Sequence, residues 1–423
     1  MVRWLRRVLV SILVIAALFA IAVWLIEFYP RRDPHPPLRL GQSTLAIEHA
    51  RIYTSPMDPP IADGTVLIHD GRIMAVGANV AVPSDAKLIA CDHCVVTAGF
   101  WNAHVHLTEP KWNFAEFKSA ATLNAQLADM FLARGFTTVV DLGSNPANTI
   151  AVRRRIERGE LNGPLIYTAT AALYPPHGIP YYLHAPAWQA ALMPQPDTPE
   201  KARSVVQQNV AMGADLTKLF TGSWMAHGHV LPMPVDVATA AVQQTHALGK
   251  LVFAHPSNLA GVRVAMDAGV DVLAHAADDT RGVDQALLAA IVARRLAMVP
   301  TLKMFATTVT TDPGYLDPIY AEVREFHTLG GTLVFGTDVG YMTDYSTEGE
   351  YEALGRCGLS WQDVLAMLTV NPATRMGVFD QKGTIAPGKL ADLTILSADP
   401  AENLTNFSKV QAVIRSGKVI WQR

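Results

Sequence analysis

Two histidines stand one residue apart in a short apolar segment, FWNAHVHL at residues 100–107. Side chains two residues apart on a β-strand point to the same face, so His104 and His106 would present their imidazoles side by side. The pair alone is a weak sign of metal binding, because a histidine in a strand also fits a purely hydrogen-bonded role. Its meaning depends on whether further ligand residues reach the same place.

Three more apolar segments end in a residue that could bind a metal. His255 ends LVFAH, His275 ends VDVLAH and Asp338 ends TLVFGTD. If these segments are parallel strands of one barrel, their carboxyl ends meet at a single rim and bring the side chains together. Imidazole nitrogens and a carboxylate oxygen, with one position left for water, are what a hydrolytic zinc site requires.

A lysine stands at the end of a further segment of this kind. Lys218 lies in ADLTKLF, where an ammonium inside an apolar barrel is costly unless it is paired or neutralised. A lowered pKa would make the amine nucleophilic, and capture of carbon dioxide would turn it into a carbamate that could bridge two metals. The alternatives are an ion pair with Asp215 or an amine that reaches the rim.

The elements that would position these residues alternate regularly. Between residues 98 and 379, eight strand-length apolar segments are each followed by helix or loop, which predicts an α/β fold, a (β/α)8 TIM-type barrel. A doubly wound open sheet has a similar pattern, but polar residues at the ends of many different strands favour the barrel. Residues 43–97 and 380–423 carry short alternating segments broken by turn residues, which predicts a small β-sandwich domain built from both ends of the soluble chain.

The N-terminus predicts a transmembrane helix. Residues 8–26 are 19 residues long and almost wholly apolar, enough to cross a bilayer, so we assign residues 1–28 as an anchor and 29–42 as a Pro-rich linker. The preceding basic residues place the catalytic domain outside the cytoplasm, on the periplasmic side in a bacterium. The alternative is a signal peptide cleaved near AIA at 20–22, which would release a secreted protein. The basic residues are Arg3, Arg6 and Arg7.

Composition excludes some partners and leaves others open. A net charge of −3 with half of the residues hydrophobic gives no basic footprint for nucleic acid. The three cysteines are too few for a disulfide framework. Cys91 and Cys94, in CDHC, fit either a small disulfide loop or part of a metal site.

Taken together, the segments resemble a known family. VTAGFWNAHVH, GFTTVVDLG, TKLF, FAHP, VLAHA, VFGTD, LTVNPATRMGV and GTIAPGKLADLTIL, between about residues 44 and 420, are similar to the amidohydrolase superfamily. Within it they are most similar to the imidazolonepropionase-like and prolidase-like hydrolases that bind two metals. The resemblance implies that His104, His106 and Asp338 hold one divalent metal and that His255 and His275 hold the second.

The same resemblance implies the catalytic groups. Lys218, as N6-carboxylysine, would bridge the two metals together with a hydroxide, and zinc is the expected metal. Asp338 would act as general base and then as general acid. We therefore predict Asp338, Lys218 and His275 as catalytic residues.

Recognition of the substrate is where the sequence departs from the family pattern. YPPHGIPYY stands where prolidase-like members usually carry GGHG, and Val140 precedes Asp141 where arginine is common. Aromatic residues of the rim loops, Tyr174, Tyr182 and Trp224 among them, fit a pocket lining or ordinary loop packing. The predicted substrate-binding residues are His177, Tyr181, Arg281 and Lys303.

These observations predict a hydrolase of amide or peptide bonds, acting on a dipeptide or an N-acyl amino acid. The same site would also suit a lactonase, a carboxylic esterase or a phosphotriesterase. A non-catalytic scaffold is the alternative of another class, and the complete ligand set argues against it. A homo-oligomer is possible by analogy with such folds.

Overall fold

A computed structural model describes residues 2–28, 40–91, 93–309, 312 and 314–423. The first helix, α1, spans Val2–Phe28. As far as the structure describes them, none of the helices combines the length and the apolar character that a membrane crossing needs. The predicted transmembrane helix is therefore not supported, and most of the predicted linker at 29–42 lies outside the described residues.

The part of the chain before the barrel folds into five strands. They are β1 Leu45–Ile52, β2 Ile61–His69, β3 Arg72–Gly77, β4 Lys87–Ile89 and β5 Val95–Ala98. Strand β1 pairs antiparallel with β2 and parallel with both β4 and β5, because a register shift between Ile47 and Ala50 divides it into two halves. His49 lies at the shift with a φ of 57°.

The barrel region alternates strands with helices, as predicted. In chain order its elements are β6 Phe100–Val105, α2 Ala120–Met130, β7 Phe136–Asp141, α3 Pro146–Glu157, β8 Leu165–Thr168, α4 Ala187–Ala190, α5 Pro199–Ala211, β9 Leu216–Phe220, β10 Gly222–Ala226, β11 His229–Pro232, α6 Val235–Ala247, β12 Leu251–His255, α7 Leu259–Ala268, β13 Val272–Leu273, α8 Gln285–Ala293, β14 Ala297–Met298, α9 Leu302–Thr308, α10 Leu316–Thr328, β15 Thr332–Leu333, α11 Glu348–Arg356, α12 Trp361–Leu368 and α13 Val370–Arg375.

Eight of these strands form a closed parallel barrel. Regular ladders join β6 to β7 and β8, and join β9 to β12, β13, β14 and β15. Backbone hydrogen bonds close both gaps: the N–H of Leu173 donates to the carbonyl of Lys218 at 2.9 Å, and the N–H of Ala103 donates to the carbonyl of Phe335 at 2.8 Å. The predicted TIM-type barrel is confirmed, and the open doubly wound sheet is excluded.

Short polar side chains cap the first turn of several barrel helices, at the end of the loop that follows each strand. The side chain of Ser119 accepts a hydrogen bond at the start of α2, Asn258 does so for α7 and Asp284 for α8. Each cap satisfies a backbone N–H that would otherwise lack a partner in the first turn. The caps thereby fix where each loop at the carboxyl rim ends.

The C-terminal strands return to the first sheet. They are β16 Leu393–Leu396, β17 Val410–Arg415 and β18 Lys418–Gln422. Strand β16 pairs antiparallel with β5, so both ends of the chain contribute to one hydrogen-bonded sheet of eight strands next to the barrel. Within this sheet domain Cys91 and Cys94 form a disulfide, whereas Cys357 is free and buried.

An apolar cluster occupies the barrel interior below the rim. It takes buried side chains from seven strands or their immediate ends: Ala103, Val140, Leu216, Phe253, Val272, Ala297 and Val334. Because residues of nearly all strands meet only inside a closed barrel, this cluster forms the floor on which the polar residues of the rim stand. The floor excludes water from beneath the site.

Candidate active site and metal centre

The structure brings the predicted ligand residues together at the carboxyl rim. The imidazole ring of His275 lies 4.5 Å, centre to centre, from that of His104 and 4.5 Å from that of His255. Nε2 of His106 lies 3.0 Å from Oδ1 of Asp338, and Nε2 of His104 lies 3.4 Å from the same oxygen. Side chains separated by more than 200 residues in the chain thus share one small volume.

Several donor atoms in this volume have no hydrogen-bond partner. Nδ1 of His104 and Nε2 of His255 are buried and form no hydrogen bond, and Nε2 of His104 and Oδ1 of Asp338 have only the contacts within the cluster given above. Buried polar atoms without partners are rare in native proteins, so these atoms indicate a missing ligand. Their chemistry, imidazole nitrogen with carboxylate oxygen, is that of a zinc-type site.

The tightest donor group differs slightly from the one implied by the resemblance. Among the described residues, His104, His275 and Asp338 form the one group whose ligand atoms all lie within 4.8 Å of one another. The resemblance instead places His275 with His255 on the second metal. These donor atoms therefore fit a divalent metal. His275 lies between His104 and His255, close to the ligands of both proposed metals.

Hydrogen bonds of the Nδ1 atoms orient two of the histidines. Nδ1 of His106 donates to the carbonyl of Gly143 at 2.8 Å. Nδ1 of His275 lies 2.7 Å from the hydroxyl of Thr301, which itself donates to the carbonyl of Pro300. The Thr301 oxygen must then accept from His275, so both rings carry their proton on Nδ1 and leave the Nε2 lone pair for a ligand.

A buried carboxylate that the sequence did not mark as functional secures the first of these contacts. Asp141 accepts from the hydroxyl of Ser144 at 2.5 Å and from that of Thr168 at 2.7 Å. Ser144 in turn accepts from the N–H of Leu107 at 2.7 Å. These bonds hold the loop that carries Gly143, and so Asp141 fixes the ring of His106 indirectly.

Asp338 is placed by an uncommon backbone conformation. Its φ is 60°, in the left-handed region that side chains other than glycine rarely adopt. The N–H of Asp338 donates to the carbonyl of His104 at 2.9 Å, which ties it to β6. This hydrogen bond closes the barrel and stabilises the strained conformation. The conformation directs the Asp338 carboxylate toward the histidines.

The charges of the cluster keep its donor atoms available. Burial lowers the pKa of His104, His275 and His255, the last to about 3, so these rings are neutral. Burial alone would raise the pKa of Asp338, but the neighbouring His104, His106 and Lys218 lower it well below its usual range. Asp338 is therefore ionised.

Lys218 has a buried amine that lies 5.6 Å from the centre of the Phe220 ring. The residue is 1% exposed, and no hydrogen bond or ion pair of its amine is found among the described residues. The predicted alternative, an ion pair with Asp215, is not found there; Asp215 accepts from Arg153 at 2.7 Å. Burial lowers the pKa of Lys218 to about 7, against the opposing charge of Asp338, so much of the amine is neutral at neutral pH.

The four predicted substrate-binding residues have different surroundings. His177 and Tyr181 are exposed on the loop after β8, and the hydroxyl of Tyr181 lies 3.4 Å from Nδ1 of His227. Arg281 is exposed and forms two 2.7 Å contacts with Asp279.

Lys303 is buried, and its amine is bound to the loop after β15. It lies 2.7 Å from the carboxylate of Asp344 and 2.6 Å from the carbonyl of Ser346. Local carboxylates thus occupy both predicted cations, Arg281 and Lys303. The structure brings neither into contact with the cluster, because a nearby carboxylate pairs with a flexible cation more readily than a distant site does.

Aromatic residues line the cluster on the side of β12. Phe220 stacks on His255 with 4.7 Å between ring centres, and Tyr174 stacks on Phe220 at 4.5 Å. The ring of Tyr182 lies 6.5 Å from that of His255 and 5.6 Å from that of Tyr341. Of the two adjacent tyrosines, Tyr182 rather than Tyr181 faces the cluster.

The barrel carries a candidate metal centre at its carboxyl rim. Residues 95–420 match the profile of the Amidohydrolase family, and the chain belongs to that family.

Individual relatives match over shorter or more divergent stretches. A dihydroorotase of Anaeromyxobacter dehalogenans (strain 2CP-C) is 36% identical over 88 residues, which are 21% of this chain and 19% of that protein. An imidazolonepropionase of Thermoplasma acidophilum is 30% identical over 113 residues, 26% of this chain and 28% of its own. This chain thus spans about a fifth to a quarter of these curated relatives.

A solved structure extends the likeness to nearly the whole fold. A protein of Bifidobacterium longum assigned as a prolidase superposes with a TM-score of 0.73 at 25% identity, covering 91% of this chain and 96% of its own. The resemblance seen in the sequence motifs is thereby confirmed for the superfamily and for its prolidase-like group.

Proposed function

We propose that this protein hydrolyses the amide bond of a dipeptide or N-acyl amino acid at a site for two divalent metals, with zinc as the metal. The observation that carries the proposal is the cluster of buried imidazole nitrogens of His104, His255 and His275 around the Asp338 carboxylate, together with the buried amine of Lys218. Likeness to a protein assigned as a prolidase supports an amide substrate.

Six residues would bind the two metals. His104, His106 and Asp338 would hold one metal and His255 and His275 the other, with Lys218 carrying a carboxylate between them. When bound, the metals would polarise the substrate carbonyl and lower the pKa of a water molecule.

The chain's own groups supply the remaining steps. Asp338 is ionised, and so it can take a proton from the attacking water and return it to the leaving nitrogen. The apolar floor and the rings of Phe220 and Tyr182 restrict solvent around the reacting carbonyl, which strengthens the electrostatic contacts there.

The test is a substrate panel with protein that has been stripped of metal and reloaded with zinc and bicarbonate. We expect hydrolysis of dipeptides or N-acyl amino acids, with no activity before reloading. Selective hydrolysis of lactones, aryl esters or phosphotriesters would show that the enzyme cleaves one of these bonds, and not an amide, at the same metal site. Failure to bind any divalent metal would refute the site itself and favour a non-catalytic role.

We further propose that the catalytic domain works outside the cytoplasm. The disulfide between Cys91 and Cys94 supports an oxidising compartment. The helix α1 carries basic residues in its first turns and exposes large apolar side chains such as Leu9 and Phe19. A reporter fused to the C-terminus should be active only outside the cytoplasm. Cell fractionation would show whether residues 1–28 remain attached or are removed, and a cytoplasmic reporter signal would refute the proposal.

A further inference from the structure

A carboxylate not used by the metal site stands close to it. Asp278 follows His275 by three residues, so their Cα atoms are at most about 10 Å apart. Its Oδ2 accepts a hydrogen bond of 2.7 Å from the indole Nε1 of Trp224 in the β10–β11 hairpin. This bond fixes the carboxylate against one aromatic side chain.

Asp278 and the metal cluster lie at the same rim of the barrel, because Asp278 follows His275 in the loop after β13. The ring of Tyr182 lies at this rim, 6.5 Å from that of His255. Burial raises the pKa of the Tyr182 phenol well above its usual range, and the charges of Asp278 and Asp338 add to that rise. Burial, and to a lesser extent the charge of Asp278, also raises the pKa of Tyr315.

Asp278 has no cationic partner among the described residues. The neighbouring cation, Arg281, is held by Asp279 through two contacts of 2.7 Å. Burial raises the pKa of Asp278 to about 7, and the indole contact opposes this only in part. A largely buried carboxylate without a counter-charge is costly, so a ligand that supplies a positive charge would be favoured there.

The surrounding rings suit the same kind of ligand. Trp224 binds the carboxylate through its indole N–H, and Tyr182 lies at the same rim beside His255. Aromatic rings of this kind attract ammonium groups. A carboxylate with aromatic neighbours is the usual composition of a site for an amine cation. An anionic substrate group would instead be repelled by Asp278.

We infer that Asp278, with Trp224 and Tyr182, forms a subsite for a protonated amino group of the substrate. The inference rests on the proposed amide hydrolysis and narrows its substrate class to amides that carry an ammonium, at a free N-terminus or on a side chain. Asp278 would be a specificity residue that binds substrate and takes no part in bond cleavage.

The experiment uses matched substrates that differ by one amine. Dipeptides with lysine or norleucine at each position, and with a free or acetylated N-terminus, are compared by kcat/KM with the zinc-loaded full chain. We expect the wild type to prefer the cationic member of at least one pair by about tenfold, the size of a charge-assisted hydrogen bond. Asp278→Asn should reduce that preference to nearly one while still hydrolysing the neutral member.

Two further variants separate charge from structure. Asp278→Glu retains a carboxylate and should keep part of the preference, whereas Asp267→Asn, an equal change of charge on the exposed face of α7, should keep all of it. Equal kcat/KM for both members of every pair in the wild type, or a preference that persists in Asp278→Asn, would overturn the inference.

A binding measurement makes the result independent of catalysis. Lysinamide, norleucinamide and N-acetylnorleucinamide are titrated calorimetrically into metal-free wild type and Asp278→Asn. Tighter binding of lysinamide or norleucinamide than of the neutral N-acetylnorleucinamide, lost in Asp278→Asn, would support the subsite even if no amide were hydrolysed, a result that would refute only the proposed reaction. Binding that Asp278→Asn leaves unchanged, together with activity on neutral and cationic amides alike, would refute the subsite alone.

Discussion

Replacing Lys218 with methionine should make the metal-free protein more stable and the enzyme inactive. The methionine side chain has a similar length and no charge, so it fits the same buried space. Among the described residues the lysine amine has no hydrogen bond or ion pair, and only a 5.6 Å contact with the centre of the Phe220 ring, to compensate for its loss of hydration. The change therefore removes the cost of burying the amine. At the same time it removes the group that is proposed to bridge the two metals.

The magnitude follows from the pKa of Lys218. Burial lowers this pKa from 10.5 to about 7, so the unfolded chain holds the proton more tightly than the folded one. The penalty is complete below pH 7, and stability is regained as the pH rises toward 10.5. At 1.36 kcal/mol per pKa unit, the penalty is about 4 to 5 kcal/mol at pH 6.5 and about 1 kcal/mol at pH 9.5.

The assay is urea unfolding of metal-free, bicarbonate-free protein at both pH values. Lys218→Met should exceed the wild type in free energy of unfolding by several kcal/mol at pH 6.5 and by much less at pH 9.5. The zinc-loaded variant should retain less metal and have no activity, and short carboxylates should restore part of the activity of Lys218→Ala. An equal effect at both pH values, or a loss of stability at pH 6.5, would show that burying the charged amine does not destabilise the folded protein.

Other expectations concern the ligands and the disulfide. Thr301→Val removes the acceptor for Nδ1 of His275 and should weaken zinc binding by about 10- to 100-fold, measured by competition with a chelator, while Thr301→Ser should restore it. Burial lowers the pKa of His106, but the contact with Asp338 outweighs burial and raises it above its usual range. Zinc affinity should therefore fall as the pH drops through this raised pKa, because the proton occupies Nε2. A zinc affinity that does not change with pH would argue against His106 as a ligand. Reduction of the disulfide between Cys91 and Cys94 should lower the free energy of unfolding by about 2 kcal/mol, the value for closing a four-residue loop, and leave kcat unchanged, with the double alanine variant as the control for the reductant.

The barrel could be predicted because each strand carries its own local signal. Segments such as LVFAH and FTTVVDLG are short apolar runs that only a buried parallel strand fits, and they recur between helical stretches. The position of His255 or Asp338 at the end of such a run also predicts the rim on which it lies. The β10–β11 hairpin carries no comparable signal, because the polar residues around His227 hide the alternation of its strands.

Contacts between distant loops could not be predicted in the same way. Trp224 and Asp278 are 54 residues apart, and nothing in either segment indicates the other. Lys303 and Arg281 were expected to bind substrate because they are cations near the rim. The structure shows that Asp344 and Asp279 pair with them, and only the folded loops decide which carboxylate is nearest.

The sequence alone determined which chemical groups stand at the carboxyl ends of the strands, because strand periodicity and the direction of the chain assign each side chain to a face and an end. The tertiary structure decided which of those groups remain unpaired. Among the described residues, burial and loop closure leave Lys218 and Asp278 without an ion pair, whereas Arg281 and Lys303 pair with local carboxylates. The balance between desolvation and pairing depends on distances of a few ångströms, and these are set only when the barrel closes and its loops pack.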